Sequence, residues 1–155
     1  MGGRLPPVLK GNVMDVKLIL LLGLVIIGAV VLGYLLYING IMVLKTGFRT
    51  VMFIGSPYKA KFKRCTGAMS SIFKVKENRD YKFIFSSKIV EGTVNIDILD
   101  KRKSLILALN NDNNEGIINL NRNDRYYIVR RFNNATGEFE LTHKAENLIQ
   151  KELTF

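Results

Sequence analysis

Polar and apolar residues change rhythm twice along this chain: a short mixed start gives way to an unbroken apolar block, then to brief alternating runs. Residues 18–38, LILLLGLVIIGAVVLGYLLYI, hold no ionisable side chain other than tyrosine. At ~1.5 Å rise per residue a helix of that length reaches roughly 31 Å, close to the ~30 Å of a hydrocarbon core. A helix is the form required there, because lipid offers no partner to a free backbone amide. Tyr34 and Tyr37 fall near its C-terminal end, where amphipathic rings favour the interface. Gly23, Gly28 and Gly33 recur every five residues, so they spiral around the helix and build no GxxxG face. Two other readings compete. One is the buried helix of a soluble protein. The other is a cleaved signal peptide, which needs an apolar run of about 7–15 residues and a small-residue cleavage site; YINGIMVLKTG offers none. The expectation is an uncleaved transmembrane helix at residues 18–38 behind a short basic tail at residues 1–17.

After the span, residues 39–66 read as a basic juxtamembrane linker with one strand candidate, FRTVMFI at residues 48–54, broken by Gly55-Ser56-Pro57. Residues 67–155 read as one domain of short strands. The candidates are residues 72–76, 81–86, 93–99, 104–109, 116–120, 125–132 and 137–142. Period-two alternation marks several of them. Tyr81, Phe83 and Phe85 share a face, as do Val94, Ile96 and Ile98, while Phe139 and Leu141 point opposite to Glu138 and Glu140. Residues 104–109 are apolar on both faces, as in a central strand. Turns are expected at Asn78-Arg79-Asp80, at Asp100-Lys101-Arg102-Lys103, over residues 110–115 and at Asn133-Asn134. Seven or so strands without intervening helices predict a small antiparallel β-sandwich, Ig-like or jelly-roll-like. Ala145, Leu148, Ile149 and Leu153 stand at helical spacing and predict a short C-terminal helix over residues 144–153. The fold class is therefore mainly β with one N-terminal transmembrane helix.

Composition narrows the chemistry. The chain has 155 residues and a formal net charge of +10. Eleven Lys or Arg stand against Asp15 alone up to Lys76, whereas residues 77–155 carry twelve charges of each sign. The excess thus flanks the apolar block and favours a membrane or anionic surface over nucleic acid. A lone cysteine, Cys65, excludes an intramolecular disulfide, a Cys-based zinc site and a redox pair. A lone histidine, His143, excludes multi-His metal sites. No cofactor is expected.

The succession YKFIFSS, EGTVNIDILD, SLILAL, GIINL, RYYIVRRF and ATGEFELTHK, within residues 67–143, resembles the small membrane- or lipid-anchored β-sandwich proteins of Gram-positive bacteria. Those often end in an aromatic-bearing G-x-F-x-L strand, here Gly137-Glu138-Phe139-Glu140-Leu141. The resemblance implies an extracytoplasmic sandwich and assigns it no chemistry.

Each candidate site has a structural alternative. Cys65 follows Lys63 and Arg64, whose charge would lower its pKa, but it also fits a small apolar strand residue. The loop Asn110-Asn111-Asp112-Asn113-Asn114-Glu115-Gly116 offers oxygen ligands, yet its glycine comes one position late for an EF-type calcium loop and suits a hairpin. Glu138 with Glu140, and Asp97 with Asp100, are carboxylate pairs that solvated strands carry without catalysis. Carbohydrate recognition would want exposed aromatic platforms; tryptophan is absent, and Tyr126 and Tyr127 leave at most one outward ring. Between Lys45 and Lys76 lie eight cations and no acid, and Lys45, Arg49, Lys59, Lys61, Lys63 and Arg64 are the candidate contacts to an anionic surface. Flanking charges are nearly balanced across the span, and a short basic N-terminus ahead of a first span usually stays inside. The expectation is a single-pass cell-membrane protein with its C-terminal domain outside. It would act as a non-enzymatic binding or accessory module toward another envelope protein or an anionic surface. The alternatives are a cytoplasm-facing scaffold reading anionic lipid and a carbohydrate-binding sandwich.

Overall fold

A computed structural model describes residues 13–39 and 42–146. Helix α1, Val13–Ile38, contains a 23-residue span, Val16–Ile38, with mean hydropathy 2.9. Beyond Lys17 its side chains are apolar on every face and most are exposed, Leu24 73% so. By length and composition this helix is long and apolar enough to cross a membrane. Among the described residues, those up to Leu35 form one unit and those from Leu36 onward a second.

The second unit is a β-sandwich of seven strands: β1 Leu44–Arg49, β2 Met52–Gly55, β3 Lys59–Phe73, β4 Arg79–Leu99, β5 Leu105–Leu109, β6 Glu115–Leu120 and β7 Tyr126–Glu146. All pairings are antiparallel. Three strands are far longer than the sequence pattern suggests, and each bends midway. Register shifts fall between Phe62 and Gly67 in β3 and between Ile89 and Thr93 in β4, both against β7 near residues 132–137. Arg64, Gly67, Gly92, Asn134 and Gly137 have positive φ along this line. Bulges of this kind strengthen twist and turn a strand's direction.

The bends fold one sheet into two layers. One layer has the order β1, β3, β7, β4, β5, using the second half of β3 and of β4 and the first half of β7. The other has the order β2, β3, β7, β4, β6 and uses the remaining halves. Side chains from the two layers meet in between. Phe62 reaches Phe132 with ring centroids 5.2 Å apart, and Phe73 reaches Phe83 at 5.4 Å. Cys65, Phe85, Ile96, Ile98, Ile128, Phe139 and Leu141 complete a closed interior. Each such large side chain contributes roughly 1.5–3 kcal/mol by leaving water.

Several expectations change in detail. Residues 48–54 are two strands, β1 and β2, parted at Thr50 and Val51. The stretch 39–66 carries β1, β2 and the first part of β3, because Ala60 and Phe62 alternate inward between surface lysines. The candidates at 81–86 and 93–99 join in β4, and those at 125–132 and 137–142 join in β7; Asn133-Asn134 is a bulge within that strand and no turn. β5 lies at a sheet edge with Leu105 and Ile106 exposed, so its apolarity does not mark a central strand. The C-terminal helix is not seen: Lys144, Ala145 and Glu146 extend β7 opposite Lys82, Tyr81 and Asp80, and residues 147–153 lie outside the described residues.

Candidate anion-binding cleft

Folding each long strand back on itself brings its two ends to one end of the sandwich. Phe73 pairs with Tyr126, Leu99 with Tyr127, and Asp80 with Glu146. The connections leaving these ends are basic: Lys74 and Lys76 after β3, Lys101 after β4, Arg122 and Arg125 before β7. They line a cleft of about 1090 Å³ together with Ile38, Asn39, Asp124 and Tyr127. Five lining residues are Lys or Arg and one is acidic.

Local hydrogen bonds fix these turns. Asn121 accepts from the Asn123 amide through its side chain and from the Asp124 amide through its carbonyl, while its own amide donates to the Tyr126 hydroxyl at 3.0 Å. The Arg122 amide donates to Asn78 Oδ1 at 2.7 Å and ties this turn to the one after β3. Asp100 Oδ1 accepts from the amides of Arg102 and Ser104 and closes the turn carrying Lys101. Such Asx turns let short polar side chains replace backbone partners. At the rim, Lys101 Nζ pairs with Asp124 Oδ1 at 2.8 Å, which holds the ammonium above its ordinary pKa. Lys74 Nζ donates to Asn39 Oδ1 at 2.7 Å. Lys76, Arg122 and Arg125 have no acidic partner within 4 Å among the described residues. The cleft can therefore receive an anion on cations not already neutralised.

The residues expected to contact an anionic surface are distributed otherwise. Lys45 and Arg49 lie on β1, with Lys45 Nζ 5.0 Å from the Phe48 ring centroid. Lys59 and Lys61 lie in the opposite layer and pair with Glu140 at 2.8 Å and Glu138 at 3.0 Å. Lys63 and Arg64 stand at the bend of β3. The structure does not gather the six into one site. The carboxylates Glu138 and Glu140 are absorbed in these ion pairs; Lys61, by hydrogen bond and charge, holds Glu138 below its ordinary range. Asp97 accepts from Arg131 Nε at 2.7 Å, and Asp100 caps its own turn.

The other candidates resolve structurally. Cys65 is buried, and desolvation lifts its thiol to about 11, outweighing the Thr50 hydrogen bond and the charge of Lys45. Of the two readings of Cys65, the structure bears out the small apolar strand residue: Lys63 and Arg64 face solvent while Cys65 faces the core. The 110–116 loop is a tight turn that carries the chain from β5 in one layer to β6 in the other; Asn110 Oδ1 accepts from the amides of Asp112 and Asn113, and Asn111 bonds Ser87. Among the described residues no group of three His, Cys, Asp or Glu is placed to hold a metal. His143 packs on Phe73, ring centroids 4.9 Å apart. Tyr126 is buried, and Tyr127 is half-buried against the cleft.

No family model matches this chain, and no curated protein matches it in sequence. Among solved structures, one described as "CBM4 structure and function" is similar at 11% identity and a TM-score of 0.38, covering 65% of this chain and 79% of that one.

Proposed function

We propose that this chain is a membrane-anchored, non-enzymatic binding module that uses the cleft at the end of its sandwich to receive an anionic partner group. The supporting observation is the cleft itself: three cations without acidic partners among the described residues, in a wall that includes Ile38 and Asn39. Ile38 closes the apolar span and Asn39 follows it, so in an anchored chain these wall residues come at the bilayer surface. A non-enzymatic role is favoured by the fate of the reactive groups. The one thiol is buried, Glu138, Glu140 and Asp97 are engaged with Lys or Arg, Asp100 caps its own turn, and the one imidazole packs on aromatic rings. Placement of the sandwich outside the cell, with the N-terminus inside, agrees with the resemblance to anchored sandwich proteins of Gram-positive bacteria.

The test uses the full chain with an N-terminal tag in cells. An anchored module keeps the tag and stays in membranes after an alkaline wash. Release of a shortened, tag-free form would overturn anchoring. Protease applied to intact cells should digest the sandwich; protection would place it in the cytoplasm. A photo-crosslinking side chain at Asn123 should give a discrete adduct that Arg122→Glu/Arg125→Glu abolishes, and its absence would refute the cleft as the binding site.

A further inference from the structure

We infer that the occupant of this cleft is the phosphate-bearing headgroup of an anionic phospholipid, from the leaflet in which α1 ends; this rests on the anchored-module reading. Three observations converge. The first is charge: among the described residues, Lys76, Arg122 and Arg125 lack acidic partners, while Asp124, the one acid in the wall, is engaged by Lys101. Arginine suits the task because its planar fork can bond two oxygens of one phosphate.

The second is position. The 23 residues of Val16–Ile38 extend roughly 35 Å as a helix, a little more than the ~30 Å hydrocarbon layer. Ile38 and Asn39 then fall at headgroup depth, and both line the cleft. Lys74 donates to Asn39, which ties the basic turn after β3 to the end of the helix within this same unit. A soluble anion would have no reason to be met at that depth, whereas a headgroup is always there. The third is size. About 1090 Å³ is at the upper end of what small-molecule sites enclose and accommodates one headgroup with its glycerol.

The decisive comparison uses the full chain in detergent micelles, titrated with phosphatidylglycerol or phosphatidylcholine and observed by native mass spectrometry. Phosphatidylglycerol should bind as a single tight equivalent. Arg122→Glu/Arg125→Glu should weaken it by on the order of 10-fold or more, since each surface cation contributes roughly fivefold in affinity. The charge-matched variant Arg49→Glu/Lys63→Glu, away from the cleft, should bind like the parent. Equal binding of phosphatidylcholine, or equal loss in both variants, would overturn the headgroup assignment. So would displacement of the lipid by millimolar inorganic phosphate, which would point to a soluble anion, or an Asn123 adduct to an acidic protein with no lipid retained. Retention of the chain in washed membranes does not depend on Arg122 or Arg125. Failure of lipid selectivity therefore leaves the anchored module standing, whereas failure of anchoring removes both.

Discussion

Arg130 donates through Nη1 to Ser71 Oγ at 3.0 Å, inside the sandwich and with no part of Arg130 exposed to solvent. It occupies the inward phase of β7 with Tyr126, Ile128 and Phe132, a row otherwise apolar. Nη1 also donates to the Ile128 carbonyl at 3.2 Å, and the guanidinium lies over the Tyr58 ring from the facing layer, 5.3 Å from its centroid. Among the described residues Nε and Nη2 have no partner and no carboxylate neutralises the group. Burial pushes its pKa down to about 10, so it remains charged at neutral pH. The Tyr58 face offsets only part of that desolvation.

Replacing a poorly compensated buried cation by an apolar chain of similar length removes a cost. Arg130→Met should therefore raise stability by about 1–3 kcal/mol, read as a higher urea midpoint at unchanged slope for the full chain in micelles. Ser71→Ala, which leaves the cation still less satisfied, should lower stability by about 1–3 kcal/mol, read as a lower urea midpoint. If Arg130→Met is strongly destabilising, the guanidinium is better compensated than its contacts indicate.

His143 should make stability pH-dependent in one direction. Its ring lies against Phe73, Phe83 and Tyr58, and partial burial, followed by the Lys76 charge, depresses its pKa below 6.5. The unfolded chain then takes up the proton first, so stability is complete above about pH 6.5 and declines as pH falls below it. His143→Phe keeps an aromatic ring in this packing and should flatten that part of the profile. Thermal midpoints measured between pH 8 and pH 5 on both proteins test it, and parallel curves would show that the decline originates elsewhere.

Gly92 carries the bend of β4. Its φ is +73°, and a Cβ there would run into the carbonyl oxygens of Asn133 and Asn134 on β7. Gly92→Ala thus combines a disfavoured backbone conformation with a clash against backbone, and should cost about 2 kcal/mol or more. Val90→Ala, two residues away at an exposed site, should change the urea midpoint little.

These bends also explain what the chain did and did not reveal. Period-two alternation located the inward faces correctly: Tyr81, Phe83 and Phe85, then Val94, Ile96 and Ile98, are all buried. Between these runs the alternation lapses over residues 86–93, and that lapse reads as a loop unless the bulge is known. The same misreading turned Asn133-Asn134 into a turn, since Asn tolerates positive φ in bulges and turns alike. Ala60 and Phe62 were hidden by the lysines that alternate with them. The cleft was concealed for another reason. Its cations sit in three short turns far apart in sequence, and Lys101, Arg122 and Arg125 lie in a stretch whose charges sum to zero from Glu77 onward. Only the doubling-back of the strands brings Lys76 near Arg122, and linear charge counting cannot see that. Arg130 lay in the pattern all along, as a charge on the inward phase of YYIVRRF, where alternation alone predicts an apolar residue.

The thiol of Cys65 supplies a probe of whether the bend in β3 is closed in solution. The residue is fully buried between two register shifts, pairing with Ala135, and its raised pKa of about 11 leaves little thiolate at neutral pH. Two barriers therefore oppose alkylation: the reagent must reach the sulfur, and the proton must leave it. In the native chain at pH 8, iodoacetamide should react slowly, at a rate that rises steeply through the urea transition and tracks it. A nearby exposed cysteine offers the control, since Thr46→Cys/Cys65→Ala should react at the rate of a free thiol under native conditions. Equal native rates for the two thiols would mean that β3 opens at its bend far more readily than a core strand should, and the two layers would then not be held by Phe62 and Phe132 as described.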